Sequence, residues 1–296
     1  MVREVPQIFD RQRLRRNRTR RAAGLPDYDF LLRRAADDLA GRIALQNRHF
    51  ETALVLGASG GALKRALKDN GGARIDRLIE SDLTAALVPQ GGLVLDEEAL
   101  PIKPQSLDLV AALWGMHHVN DLPGMLVQIR RALKPDGLFL GALPGGESLS
   151  ALRAAFLDQE AALLGGAQPH IHPFADLQDL AGLLQRAGFS LPVADSDLVE
   201  VRYQDPYRLL DDLRGMGEAN VLMARPRQFL RRDVLTAALA QFSAASHKDG
   251  KAVATFELCY IAGWSPHDDH NIRHEEGQPI TRFDEAALPQ KPENAD

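Results

Sequence analysis

The stretch that most constrains this chain runs over residues 51–67, ETALVLGASGGALKRAL. The apolar run 53–56 is short and bounded by turn residues, which suits a strand covered on both faces. Gly57-Ala58-Ser59-Gly60-Gly61 follows at once, and helical spacing resumes over 62–67. A turn this small lets a ligand approach the backbone, with helix N-terminal N–H groups aimed at it. Tight strand-to-helix turns also occur in α/β proteins that bind nothing there, so the pattern needs support from elsewhere in the chain.

That support comes from the alternation downstream. Residues 74–79 read as a second strand ending in Glu80-Ser81-Asp82, and 91–95 as a third ending in Asp96-Glu97-Glu98. Residues 107–113 give the most continuous strand. Asp121 opens a helix to Leu133 with Leu122, Met125, Leu126 and Ile129 on one stripe, and strand five follows the Pro135-Asp136-Gly137 turn over 138–143. Strands alternating with helices of this length predict a doubly wound, mostly parallel sheet. Ligands of such sheets sit outside the carboxyl ends of the strands. The residues there are the 57–61 turn, Asp82, Asp96 and the segment 113–118, which converge on one crevice. An acid after the second strand suits two ribose hydroxyls, and an acid after the third suits an adenine edge. Each alone reads equally as a cap or a solvated turn; together they favour a nucleoside-containing cofactor.

The order of turn, Asp82, Asp96, Leu100-Pro101, Leu107-Asp108-Leu109-Val110 and Lys134-Pro135-Asp136-Gly137 resembles class I S-adenosylmethionine-dependent methyltransferases. A closer resemblance, to the complex I assembly factor 5 family, rests on IFDR at 8–11, His117 with Val119-Asn120-Asp121-Leu122-Pro123, PHIHPF at 169–174, RAGF at 186–189, GMGEAN at 215–220 and IAGW at 261–264. It spans about residues 8–265. It implies a Rossmann-like methyltransferase fold of seven strands, with cofactor contacts from Gly57, Ala58, Ser59, Gly61, Asp82, Leu83, Asp96, Glu97 and Leu113. It also implies a protein partner in a respiratory complex. Because IFDR begins at residue 8, the reading leaves no room for a presequence and predicts a bacterial cytoplasmic relative, held at the inner membrane, if at all, through its partner.

The chain departs from the superfamily's Val-Leu-Asp-x-Gly-x-Gly-x-Gly motif. Val55 replaces the acid and Ser59 the middle glycine. Losing a charged hydrogen bond costs about 1.5–3 kcal/mol, so S-adenosylmethionine binding is expected to be weakened. Three readings follow. The leading one is S-adenosylmethionine-dependent methyl transfer to an unidentified substrate, a protein among the candidates, with His117 as the candidate base. The others are arginine hydroxylation of a complex I subunit and a non-catalytic assembly chaperone.

Elsewhere the sequence adds detail. Residues 8–21 carry seven arginines against one acid, Asp10. A nucleic acid, an anionic lipid or an acidic partner would suit them, but a solvated helix packed by Ile8, Phe9 and Leu14 is the plainer reading. Asp27 is expected to cap a helix over 28–43. His170 and His172 lie in the loop 165–174 and, with Tyr203, are candidates for substrate contact; no metal is assigned to the pair, which lacks a third ligand. Residues 198–203 and 253–264 are expected as the last two strands, paired antiparallel, with a helical insertion at 206–250 between them. The domain division is therefore 1–50 (basic arm and helix), 51–265 (methyltransferase-like) and 266–296 (mobile tail). His267, Asp268, Asp269, His270 and His274 in that tail read as solvated rather than as an iron site. With hydrophobic content at 45% and no apolar run near the ~18 residues of a membrane span, the chain is an ordinary globular one. Its single Cys259 sits in the apolar run 256–261, where a buried, inert thiol is expected.

Overall fold

A computed structural model describes residues 6–72 and 74–267; the expected tail, including all but the first of its histidines and acids, lies outside them. In chain order the elements are α1 (Arg11–Arg21), a 3-10 turn at Ala22–Asp27, α2 (Phe30–Ala44), β1 (His49–Leu56), α3 (Ala62–Asp69), β2 (Arg74–Asp82), β3 (Leu93–Val94), β4 (Leu107–Leu113), α4 (Leu122–Ala132), β5 (Leu133–Pro144), α5 (Ser150–Leu164), α6 (Leu177–Arg186), β6 (Ser190–Tyr203), α7 (Tyr207–Gly215), α8 (Arg232–Ala245), β7 (His247–Lys248) and β8 (Lys251–Trp264). The sheet order is β3-β2-β1-β4-β5-β8-β6, with the two-residue β7 forming a hairpin onto β8. The first five strands are parallel, while β8 runs antiparallel to both β5 and β6. The expected seven-stranded doubly wound sheet is therefore present.

Its central strands are apolar along their length because helices cover both faces. All seven residues of β4 are buried. One core layer joins α2, α3, α5 and α8 to one face; another joins α4 and α6 to the other. Burial of this kind stabilises at roughly 25 cal/mol per Å² of apolar surface. Asp121 caps α4 as expected, accepting from Gly124 N at 2.8 Å. Three local expectations shift. Asp27 does not cap α2, since Ala22–Asp27 winds as a 3-10 turn around Pro26 and Asp29 takes the N-cap position. The 91–95 strand shrinks to Leu93–Val94, both exposed, because Gly91 and Gly92 turn the chain just before it. The 135–137 turn becomes an irregularity inside β5, with Asp136 at φ 58 and register slipping between Leu107 and Leu109.

Candidate functional site

The turn after β1 is held by its neighbours rather than by a carboxylate of its own strand. Ala58 N donates to Ser81 O at 2.8 Å and Gly60 N to Leu87 O at 2.8 Å. Ser59 N donates to Asp82 Oδ2 at 3.1 Å, and Thr84 N to Asp82 Oδ1 at 3.3 Å. Asp82 thus orders the loop from the next strand, while Val55 packs in the core at 1% exposure. Gly57 sits at φ +77, and a Cβ there would lie 2.1 Å from Leu113 O, so the β1 end passes β4 too closely for any side chain. Ser59 accepts a left-handed φ of 47 within the same turn.

The arm, read from sequence as a solvated helix, turns two of its arginines inward. Arg11, Leu14 and Arg18 share one stripe of α1 at i, i+3, i+7. Leu14 packs with Phe9, Leu83, Val221 and Leu222 in a small apolar cluster, so Leu83 seats the arm. Arg11 pairs with Asp96 at 2.6 Å and with Glu97, and its Nε lies 3.8 Å from Glu98. Arg18, 7% exposed, donates to Trp114 O at 2.9 Å and lies 3.9 Å from Asp82. The strand-end acids expected to face a nucleoside are therefore already neutralised by the chain's own arm. Burial raises the Asp82 carboxyl, opposed by the Arg18 charge. Burial also pushes Asp96 up, but the Arg11 charge and hydrogen bond outweigh it and hold Asp96 below its ordinary value. Further stitches fix the arm. Asn120 Oδ1 accepts from Ile8 N and Phe9 N at 2.7 and 2.8 Å, Asp10 caps Arg13 N and pairs with Arg225 at 3.0 Å, and Phe9 bridges Leu222.

Beside the arm lies a buried polar cluster. His117 Nε2 is 3.1 Å from Glu218 Oε2, and Trp114 Nε1 donates to Glu218 Oε1 at 3.1 Å. Burial raises the Glu218 carboxyl, but the facing His117, its hydrogen bond and Arg18 outweigh this and hold it below its ordinary value. Trp114 is held at φ 53, a conformation that costs an L residue of order 1–3 kcal/mol. His117, His118 and Glu218 each offer a ligand atom, all within 4.8 Å of one another. Hydrogen bonding decides how they stand here. Val221 N–H donates to His172 Nε2 at 3.2 Å, so neutral His172 carries its proton on Nδ1 and donates it to His118 Nε2 at 3.1 Å. That engages the one lone pair His118 would offer a cation. Burial pushes His172 down to about 4 and His118 well below its ordinary value, which keeps this relay neutral. The Nδ1 atoms of His117 and His118 are buried without a hydrogen-bond partner among the described residues.

Three hollows adjoin the cluster. The first, between the arm, Ser59, Leu87 and Trp114, is nearly filled, with a cavity volume of about 20 Å³. The second, with a cavity volume of about 40 Å³, is bounded by Phe174, Phe256, Ile171, His170 and His172. Trp114, Met216 and Glu218 line both. The third is an open groove of about 660 Å³ that shares His170, Ile171 and Phe174 with the second. His170 lines the second and third hollows and His172 the second, and His170 is also tied to Glu160 at 3.1 Å. Tyr203 does not reach any of the three hollows. It is 6% exposed, packs in the core and donates to Asp212 at 2.8 Å. Leu113 ends β4 fully buried beneath Gly57. Glu218 and Trp114 were not singled out from sequence. Glu218 lies in the GMGEAN motif, whose acid was the available signal.

The strand order, the β1 turn and the acids at successive strand ends define a class I S-adenosylmethionine-dependent methyltransferase-like protein. Residues 54–141 match the family model described as methyltransferase domain. Among solved structures, YcgJ of Bacillus subtilis superposes with a TM-score of 0.52 at 15% identity, over 78% of this chain and 98% of that one. A candidate methyltransferase of Bacillus halodurans gives 0.53 at 14%, with the same coverage of both chains. Two curated relatives are much more similar in sequence. The zebrafish (Danio rerio) protein named arginine-hydroxylase NDUFAF5, mitochondrial, is 36% identical over 272 residues, 88% of this chain and 84% of that protein. The human protein of the same name is 35% identical over 290 residues, 94% of this chain and 83% of that one. The chain belongs to the arginine-hydroxylase NDUFAF5 family.

Proposed function

We propose that this protein binds S-adenosylmethionine in the crevice at the β1 turn and modifies a cationic side chain of a partner protein in the adjoining hollow. The observation that carries the reading is the position of Glu218, a half-buried carboxylate lining both hollows at once. A carboxylate of lowered pKa, in a hollow that Trp114 and Phe174 also line, suits a guanidinium or ammonium group, which it would pair beside those rings. The first hollow meets the cofactor turn at Ser59, so with the arm withdrawn from Asp82 and Asp96 the two ligands would abut at Trp114, Met216 and Glu218. Methyl transfer there is an in-line displacement. S-adenosylmethionine, held by the β1 turn and Asp82, would supply the methyl group there, and the accepting nitrogen would give up a proton. Glu218, ordered by the His117 and Trp114 hydrogen bonds, is the group placed to receive it, with His117 as its positioning partner.

A second reading is favoured by the names of the curated relatives. Arginine hydroxylation would use the same cation site, with the partner a subunit of a respiratory complex. Among the described residues no helix is long and apolar enough to cross a membrane, so such a partner would be met from outside the bilayer. The domain division at residues 51–265 and the placement of the protein in a bacterial cytoplasm are part of this reading.

The test couples calorimetry to mass spectrometry. Purified protein is titrated with S-adenosylmethionine and S-adenosylhomocysteine, alongside Asp82→Asn. Co-expressed candidate partners are then searched for a gain of one methyl group or one oxygen atom. Heat that disappears in Asp82→Asn supports the cofactor site, and the mass gain separates the two chemistries. A folded protein that gives no heat with either ligand would sink the cofactor assignment. A modified partner whose yield is unchanged in Glu218→Gln would remove Glu218 from the substrate site.

A further inference from the structure

The open groove beside the polar cluster carries chemistry that the cofactor crevice does not use. Apolar side chains line it and stand bare to water: Ile8 is 43% exposed, Leu157 42% and Met223 44%. Its volume of about 660 Å³ falls within the roughly 300–1,000 Å³ of built ligand sites. One cation stands in its wall. Arg153, on α5, makes no ion pair among the described residues, and Asp176 lines the same groove without meeting it. The Arg153 Nε is buried with no hydrogen-bond partner among those residues. Its Nη2 donates only to two backbone carbonyls, Ser148 O at 3.2 Å and His172 O at 3.5 Å. A guanidinium offers five N–H donors in a planar fork that matches a carboxylate. This fork is short of the acceptor it is shaped for.

The groove adjoins the second hollow through His170, Ile171 and Phe174, and Glu218 lines that hollow. Arg153 itself lies 5.9 Å over the Phe174 ring. An apolar trough with a cation in its wall therefore borders a hollow with an anion in its own. This order of charges complements a chain segment that carries the two opposite signs close together. Alternate residues of an extended segment face the same side, so one strand can present a cationic side chain to Glu218 and a carboxylate to Arg153. The side-chain amides of Gln7 and Gln168 line the groove and suit the backbone groups of such a strand. A fatty acid would satisfy the apolar walls and Arg153, but it gives no role to the amides or to Glu218. We infer that the groove docks an extended segment of a partner protein in which an acidic residue, paired with Arg153, lies a few positions from the cationic side chain that enters the hollow. This rests on the cation site proposed above, and it makes Arg153 the residue that selects among a partner's arginines and lysines.

The probe is a library of short peptides, blocked at both ends, with arginine fixed at the centre and the flanking positions varied. Peptides retained on the immobilised full chain are sequenced by mass spectrometry. Asp or Glu at one flanking position should be enriched about tenfold over Asn or Gln, with apolar residues enriched at other positions. Arg153→Gln should abolish the acidic enrichment, and Arg153→Glu should turn it into a preference for Lys or Arg. A merely structural role for Arg153 does not produce that inversion. Leu157→Asp alters an exposed position, so it should fold as wild type and lose the apolar enrichment even if the Arg153 variants do not fold. A second library with norleucine at the centre separates this inference from the reading it rests on. Acidic enrichment that persists without the arginine would uphold the groove and remove the cation site. No flanking preference in the wild type, or an acidic preference unchanged in both Arg153 variants, would overturn the inference. So would binding of laurate that depends on Arg153 while no peptide is retained, which would assign the groove to an acyl chain.

Discussion

Arg11 is the residue whose removal most directly tests how the arm is held. Its guanidinium, 12% exposed, faces Asp96 at 2.6 Å and Glu97, whose side chain is 3% exposed. Replacing it with methionine keeps the stem but strands a buried carboxylate. Breaking a buried ion pair from one side costs about 3–5 kcal/mol, because the remaining charge stays desolvated. Asp96 is one-third exposed, so solvent screens its share and Glu97 dominates. At about 2–4 °C per kcal/mol for a body of this size, Arg11→Met should melt on the order of 10 °C below wild type. Adding Glu97→Gln removes the stranded charge and should restore most of that loss, whereas Glu97→Gln alone should itself destabilise. Calorimetric melting of the four proteins of this cycle at low and high salt is the assay. Salt should change the cost little, since buried pairs are poorly screened. A loss under about 1 kcal/mol, or no recovery in the double variant, would refute the claim that the arm is anchored by a desolvated pair.

Further outcomes follow from the same geometry. Gly57→Ala should cost several kcal/mol or prevent folding, since a Cβ would stand 2.1 Å from Leu113 O at a positive φ; chemical denaturation of Gly57→Ala beside the open-space control Gly60→Ala measures it. His172 is held neutral by burial, at about 4 against an ordinary 6.5. Because its folded pKa is depressed, the unfolded chain takes up the proton first, and stability should fall by up to about 3 kcal/mol as pH drops from above 6.5 towards 4. His172→Gln should flatten that part of a melting-temperature profile against pH, and an unchanged slope would count against the assignment. Cys259 is fully buried, and burial, then the neighbouring Glu257, push its thiol up to about 12. It should stay unmodified by a thiol reagent in the native state and react at once in denaturant.

The sequence by itself determined the layers, the two antiparallel strands that close the sheet, the tight turn at Gly57 and the inert thiol. These rest on periods of two and 3.6 residues, on a capping Asp121 and on glycines, all of which act over a few neighbouring positions. Only the tertiary structure decided what the charged groups do. Arg11 meets Asp96 across 85 positions, and His117 meets Glu218 across 101. No local pattern distinguishes Arg11 from the exposed Arg15 or Arg16 on the same helix except its stripe with Leu14 and Arg18. Tyr203 shows the same limit from the other side, because an alternating strand does not reveal that its last residue points into the core towards Asp212. Backbone geometry is set by neighbours in sequence, whereas an ion pair or a cavity wall is set by where distant segments come to rest. The crevice was therefore legible from the ends of its strands, and the helical insertion from the interval between its last two strands, whereas the pairing of the arm with the crevice's acids was not.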